Sequence, residues 1–304
     1  MRSINLTSQS NTQFFHVPNI YDYFELMKPK VMSLVIFTTI SGMYLAPSQI
    51  HPVLSFFSIL AIALGAGSAG AINQWIDKDI DKLMERTKKR PIPSGRVDSA
   101  EAITFSLVGS LISIIILGLS SNWFAAGLLF FTIFFYSVIY SIILKRKTPQ
   151  NIVIGGAAGA LPPVIGWVAM TGNISFFPII LFMLIFFWTP PHFWALALVK
   201  SKDYKKAGIP MMPNVVGHSS TKNQILLYST LVLICSVAPF FLGYVGFIYL
   251  LSALFMSSIF LIFSFALIML PEKKFEMPLF GYSIFYLFGI FIFLMLDKYI
   301  NGFQ

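Results

Sequence analysis

Nine apolar runs, each long enough to cross a hydrocarbon core of about 30 Å, account for most of this chain. They lie near residues 31–47, 54–75, 102–119, 123–144, 151–170, 176–199, 223–243, 246–270 and 279–296. A chain that must bury its backbone polar groups in lipid has two solutions, helices and closed barrels, and runs of this length select helices. Composition agrees: 57% of the 304 residues are hydrophobic and 11% are charged, where a soluble domain carries about a quarter charged. The predicted class is an all-α integral membrane protein. It is a bundle of about nine transmembrane helices around a central cavity open to the cytoplasmic side, in one domain over 1–304.

The sparse charge is ordered. Every Lys and Arg except Lys298 falls in the N-terminal segment or in the loops that alternate onto its side of the membrane. The positive-inside rule then places the N-terminus and the charged loops in the cytoplasm. The net charge of +9 therefore reports topology and gives no reason to expect nucleic acid as a partner. Residues 1–20 are polar with Arg2 as their one basic residue, which predicts neither a cleaved signal peptide nor a mitochondrial transit peptide. Cys235, the one cysteine, lies in an apolar run and excludes an internal disulfide.

The second run leads directly into Asn73-Gln-Trp-Ile-Asp77-Lys-Asp79-Ile-Asp81. If the helix continues, residues four apart are offset by roughly 40° around the axis and about 6 Å along it, so Asn73, Asp77 and Asp81 form one oblique stripe. Like charges so close call for a cation between them. Hard oxygen ligands in that number suit Mg²⁺, which shares itself with water and substrate phosphates. A solvated helix end at the membrane surface would carry some of the same residues.

The other long loops offer anion partners. Arg86, Lys88, Lys89 and Arg90 follow the stripe, and Pro91, Pro93 and Gly95 mark a turn after them. Lys145, Arg146 and Lys147 form a short loop, and Asp203 stands among Lys200, Lys202, Lys205 and Lys206 as either a salt-bridged anchor or a second metal ligand. A diphosphate needs such cations beside the metal, although any one of them could serve topology alone. Gly155 and Gly159 form a G-x-x-x-G, mostly a helix-packing device. The same spacing, like that of Gly65, Gly67 and Gly70, also leaves room for a bulky ligand. His192 follows Pro190 and Pro191 inside the sixth run, where an ionisable group is costly and often functional.

Taken together, these residues show a resemblance. The Asn73-x3-Asp77-x3-Asp81 stripe on a multi-span chain resembles the intramembrane prenyltransferase superfamily that includes the 4-hydroxybenzoate polyprenyltransferases. Three blocks, Asp77 to Pro91, Lys145 to Gly159 and Asp203 to Met211, are similar to its haem O synthase branch, the protohaem IX farnesyltransferases. The wider superfamily pairs the first motif with a second Asp-x3-Asp, whereas Val199 and Ala207 flank Asp203 here at those positions.

The resemblance implies transfer of a farnesyl group from farnesyl diphosphate to a vinyl group of haem b, with addition of water. It implies one Mg²⁺ on Asn73, Asp77 and Asp81, with Asp203 assisting in catalysis. Arg86, Lys89, Arg90, Lys145, Arg146, Lys147 and Lys206 would bind the diphosphate, and His192 would serve the substrate as haem ligand or proton carrier. Its setting is a bacterial cytoplasmic membrane, with the lipid bilayer as partner and an association with a haem A synthase or with terminal oxidase assembly. Two other readings stand beside it, a prenyltransferase with another aromatic or tetrapyrrole acceptor and a non-catalytic haem transporter or assembly factor. Against transport, no charged residue lies near mid-span, where coupling sites usually occur.

Overall fold

A computed structural model describes residues 18–302; most of the polar tail read over 1–20, and with it the signal-peptide reading, lies outside them. Among the described residues the chain is helical, with no strand. A short α1 (Ile20–Leu26) turns at Lys28 into α2 (Pro29–Leu45), followed by α3 (Pro52–Ile76) and the single-turn α4 (Lys78–Leu83). Next come α5 (Ser99–Ser120), α6 (Trp123–Phe134) with its π-helical continuation Phe135–Leu144, α7 (Asn151–Ala160), α8 (Pro162–Thr171) and α9 (Phe176–Val199). The chain ends through α10 (Ser201–Lys206), α11 (Met212–Val215), α12 (His218–Phe241), α13 (Phe247–Met269) and α14 (Glu276–Asn301).

Among the described residues eight helical segments are long and apolar enough to cross a membrane, counting α6 with its extension and α7 with α8, and the 17-residue α2 adds a shorter ninth. Polar residues at the ends define them. Asn19 closes a capping box on α1, Asp98 accepts from Ala100 N at 2.7 Å at the start of α5, and Asn122 caps α6. Proline occupies the first turn of α2, α3 and α8, where its missing N–H costs nothing.

The segments close into a ring. α3 packs on α2, on α5 and on the π-helical stretch, which meets α7; α7 meets α9, and α12, α13 and α14 follow before α14 returns to α2. Large side chains such as Trp194, Tyr286 and Phe291 fill the interior, while Phe56, Phe255 and Phe285 face outward, as expected where the solvent is lipid.

Several expectations change in detail. The fifth run is two helices broken at Leu161 before Pro162 and Pro163. Pro190 and Pro191 do not break α9, which runs through them; just before them Thr189 Oγ donates back to Ile185 O at 2.8 Å. Gly155 and Gly159 do not act as a packing pair. A Cβ at 155 would lie 2.2 Å from the Tyr140 ring, whereas nothing lies within 4 Å of one at 159.

Candidate active site

The short elements α1, α4, α10 and α11 are tied to the loop 84–98 and the turn 145–150 by interactions of Arg96 with Asp22 and Glu25, of Arg146 with Asp79, of Asn151 with Pro210 O and of Lys206 with Glu85, and by the packing of α10 on α11. There the stripe is kept, although the helix is not continuous. α3 ends at Ile76 and Asp77 joins it to α4 with φ −90° and ψ 6°. The four-residue backbone bonds persist across the joint, from Asp77 N to Asn73 O at 3.0 Å and from Asp81 N to Asp77 O at 2.8 Å. Asn73, Asp77 and Asp81 are accordingly buried, at 3%, 0% and 2% exposure.

Buried carboxylates need partners, and the chain supplies them from three directions. Asn73 Nδ2 donates to Asp77 Oδ2 and to Ser141 Oγ, both at 2.8 Å. Lys145 Nζ donates to the same Asp77 Oδ2 in a very short contact, and Arg90 Nη1 pairs with Asp81 Oδ2 at 2.7 Å. Lys28 Nζ donates to Asn73 Oδ1 at 2.5 Å and lies 5.8 Å from the centroid of the Tyr136 ring. One oxygen is left over: Asp77 Oδ1 is buried and has no hydrogen-bond partner.

The turn that delivers Lys28 is strained. Its φ is +56° in a residue that is not glycine, a conformation that costs an L-residue roughly 1–2 kcal/mol. Gly67 allows the bend to sit against α3, since a Cβ there would lie 2.5 Å from Met27 Cε, whereas one at Gly70 would make only ordinary contact with Lys28 Cδ at 3.6 Å. Gly67 therefore accommodates the chain's own bend. The π-helical stretch is equally specific, with Lys145 N bonded to Tyr140 O and Ser141 Oγ to Tyr136 O, five residues back. It stacks Tyr136 on Tyr140 at 5.3 Å and 16° beside the cluster.

The remaining sequence candidates divide. Arg146 holds Asp79 through both nitrogens, at 2.7 and 2.8 Å, and donates to Ile76 O at 3.0 Å. That hydrogen bonding, against some desolvation, holds the Asp79 carboxyl below its ordinary range. Arg146 thus ties the 145–150 turn to the end of α3. Arg86, Lys89 and Lys147 are exposed at the mouth, with Arg86 in electrostatic range of Tyr140. Lys206 is exposed on α10 and acts on Glu85 across the gap, so the two long loops are neighbours. Asp203 is half-buried; its backbone carbonyl accepts from Ala207 N, but its carboxylate takes no hydrogen bond or ion pair among the described residues, so it is not a salt-bridged anchor.

His192 lies elsewhere on the inner wall, stacked between Trp188 and Phe280 at 4.4 and 4.6 Å. Its Nδ1 is 2.6 Å from Ser283 Oγ, whose own proton is directed to Phe280 O at 2.6 Å. The network assigns the ring proton to Nδ1 and leaves the Nε2 lone pair free.

Lys28, Tyr136, Tyr140 and Ser141 were not among the sequence candidates. Lys28 counts there only as a topology charge before Pro29, and the tyrosines and Ser141 lie within the fourth apolar run. The available signal was Tyr136 and Tyr140 at a spacing of four, opposite the stripe.

Mg²⁺ fits these residues in one particular way. No three His, Cys, Asp or Glu side chains gather among the described residues, so the chain does not build an all-protein cage. The unpartnered Asp77 Oδ1 beside Asp81 offers the one or two carboxylates Mg²⁺ uses when phosphates and water complete its shell.

Comparison with known proteins identifies the family. Residues 35–292 match the UbiA prenyltransferase family. A protoheme IX farnesyltransferase of Rhizobium etli (strain CIAT 652) is 55% identical over 91% of this chain and 89% of its own. Among solved structures, a digeranylgeranylglyceryl phosphate synthase superposes with a TM-score of 0.76 at 19% identity, covering 91% of this chain and 97% of that one. A UbiA homologue from Archaeoglobus fulgidus bound to DMAPP and Mg²⁺ gives 0.64 at 16% identity over 88% and 99%. The fold, the buried Asn73, Asp77 and Asp81 stripe and this identity place the chain in the UbiA prenyltransferase family, within the branch of the protoheme IX farnesyltransferases.

Proposed function

We propose that this chain transfers a farnesyl group from farnesyl diphosphate to a vinyl group of haem b, with water added, and that the end of the ring carrying Asn73 is where the diphosphate departs. The observation that carries the chemistry is the buried, unpartnered Asp77 Oδ1, set among Lys145, Arg90 and Lys28. The choice of acceptor is supported by the 55% identity to a protoheme IX farnesyltransferase.

Mg²⁺ held by Asp77 and Asp81, with Asn73 beside them, would supply Lewis-acid stabilisation of the leaving diphosphate. The rest is done by side chains. Lys145 and Arg90 spread the charge that develops as the C1–O bond of the farnesyl group breaks and its electron pair leaves with the diphosphate. Arg86, Lys89, Lys147 and Lys206, at the mouth, steer the incoming anion, and Arg146 positions Lys145 by fixing its turn. The stacked Tyr136 and Tyr140 present π-faces to the allylic cation. The vinyl π-electrons close the new C–C bond, and water adds to the resulting porphyrin-side cation with loss of a proton. No protein nucleophile is required, and Asp203 is free to assist at the rim.

His192 Nε2 is the group suited to the haem iron, since a neutral imidazole with its other nitrogen anchored is a good ligand. In this reading the diphosphate end is cytoplasmic, in a bacterial inner membrane, and the product passes to a haem A synthase or to terminal oxidase assembly.

The test is to incubate membranes containing the protein with haem b, farnesyl diphosphate and Mg²⁺, and to weigh the extracted haems. A haem heavier by one farnesyl and one water, absent with Asp77→Asn, is the expected product. Consumption of farnesyl diphosphate with unmodified haem would reject the acceptor, and equal yield from Asp77→Asn would reject the metal site.

A further inference from the structure

Each carboxylate of the stripe already has a cationic partner before any ligand arrives. Asp77 is matched by Lys145 and Asp81 by Arg90, in contacts where the carboxylate side chains are 0% and 3% exposed. Lys28 adds a further donor at Asn73 Oδ1. The Asn73 amide nitrogen and oxygen are both in use, while Asp77 Oδ1 has no partner among the described residues. A divalent cation on Asp77 Oδ1 would bring two positive charges up to Lys145 and Arg90 in a place with little water to screen them. A diphosphate alone would bring two to three negative charges up to carboxylates held in the same contacts. A metal–diphosphate pair nearly cancels its own charge and meets neither objection. It also lets Lys145, Arg90 and Lys28 turn to the phosphate oxygens while the metal takes the carboxylates.

We propose that Lys145 and Arg90 make this a charge-matched site, which binds the divalent cation and the diphosphate together and holds neither well alone. Mg²⁺ is then not resident. It enters with farnesyl diphosphate and leaves with the released diphosphate at each turnover. The coupling is reciprocal, because whatever the metal does for the diphosphate the diphosphate does for the metal. The proposal rests on the reading of this end of the ring as the diphosphate site.

Calorimetric titration of the full detergent-solubilised chain tests it, with Mn²⁺ alone, pyrophosphate in EDTA, and the preformed Mn²⁺–pyrophosphate complex. The complex should bind on the order of 30-fold tighter than either component. Lys145→Gln leaves Asp77 unmatched, so Mn²⁺ alone should bind about tenfold tighter and pyrophosphate alone more weakly. These opposite signs are what a structural defect would not produce, since misfolding lowers both affinities. Lys145→Arg keeps the charge and should keep the wild-type pattern. Wild-type protein that binds Mn²⁺ alone as tightly as the complex overturns the coupling, as does a Lys145→Gln variant in which both affinities fall together. If Asp77→Asn binds the complex like wild type, the metal reading itself is wrong, which is a separate failure.

Discussion

Gly155 on α7 lies against the ring of Tyr140 on the π-helical stretch, so closely that a Cβ there would sit 2.2 Å from Cδ2 and 2.9 Å from Cε2. The glycine sets where that ring stands, and Tyr140 in turn stacks on Tyr136 beside the stripe. Gly155→Ala must push the ring or the helix aside, at roughly 1–3 kcal/mol for overpacking. The expected result is a lower melting temperature in detergent with a fall in turnover larger than any change in KM. Gly159→Ala is the control, since nothing lies within 4 Å of its Cβ. It should be neutral or slightly stabilising, through helix propensity worth at most about 1 kcal/mol. Equal damage from both would restore the packing role of the G-x-x-x-G.

Asp79 and Asp77 are two residues apart, yet the structure gives them different work. Asp79 is 61% exposed and held by Arg146, which keeps its carboxyl below the ordinary value. A depressed folded-state pKa contributes stability at pH above the ordinary aspartate value and loses it as pH falls through the lowered one. Solvent screening limits that contribution to below about 1 kcal/mol. Asp79→Asn should therefore lower the melting temperature slightly at pH 7, by less and less as the pH falls through the lowered value, and leave turnover within a few-fold of wild type. A loss of turnover as deep as that of Asp77→Asn would move Asp79 into the reacting centre.

The parts of the molecule readable from sequence are those fixed by local pattern. Apolar length gave the eight long crossings and the shorter α2, and spacing gave the stripe, because a helix converts a repeat of four into a face. Asp77 to Asp81 remained readable through the helix joint since the four-residue hydrogen bond from Asp81 N survives it. What escaped depended on contacts between distant segments. Lys28 reaches Asn73 across 45 positions, and no local rule tells such a lysine from a topology charge; Lys145, already read as an anion partner, reaches Asp77 across 68, a pairing that local pattern does not show. Arg146 shows the converse. It sits next to Lys145 in an anion-binding pattern, but one residue further round the turn its side chain meets Asp79 instead. The π-helical stretch was illegible for a similar reason, since its wide turn is maintained partly by Ser141 Oγ on Tyr136 O.

His192 is anchored on one side only, and that gives the haem assignment a graded test. With Nδ1 on Ser283 Oγ and the ring between Trp188 and Phe280, Nε2 has one fixed direction. An iron ligated there should show the Soret and visible bands of an imidazole-bound haem when the full chain is titrated with haem b. His192→Ala should abolish those bands while a smaller, hydrophobic haem affinity remains. Ser283→Ala removes the partner that orients the ring without touching the iron. Losses of that kind at ligand-supporting groups are typically 10–100-fold in affinity, so its spectrum should be that of wild type, reached at higher haem concentration. The order wild type, Ser283→Ala, His192→Ala in haem affinity is the signature of ligation through Nε2. An unaltered spectrum in His192→Ala would instead make the histidine a packing element of α9 and α14, and would move the search for the iron ligand to another residue.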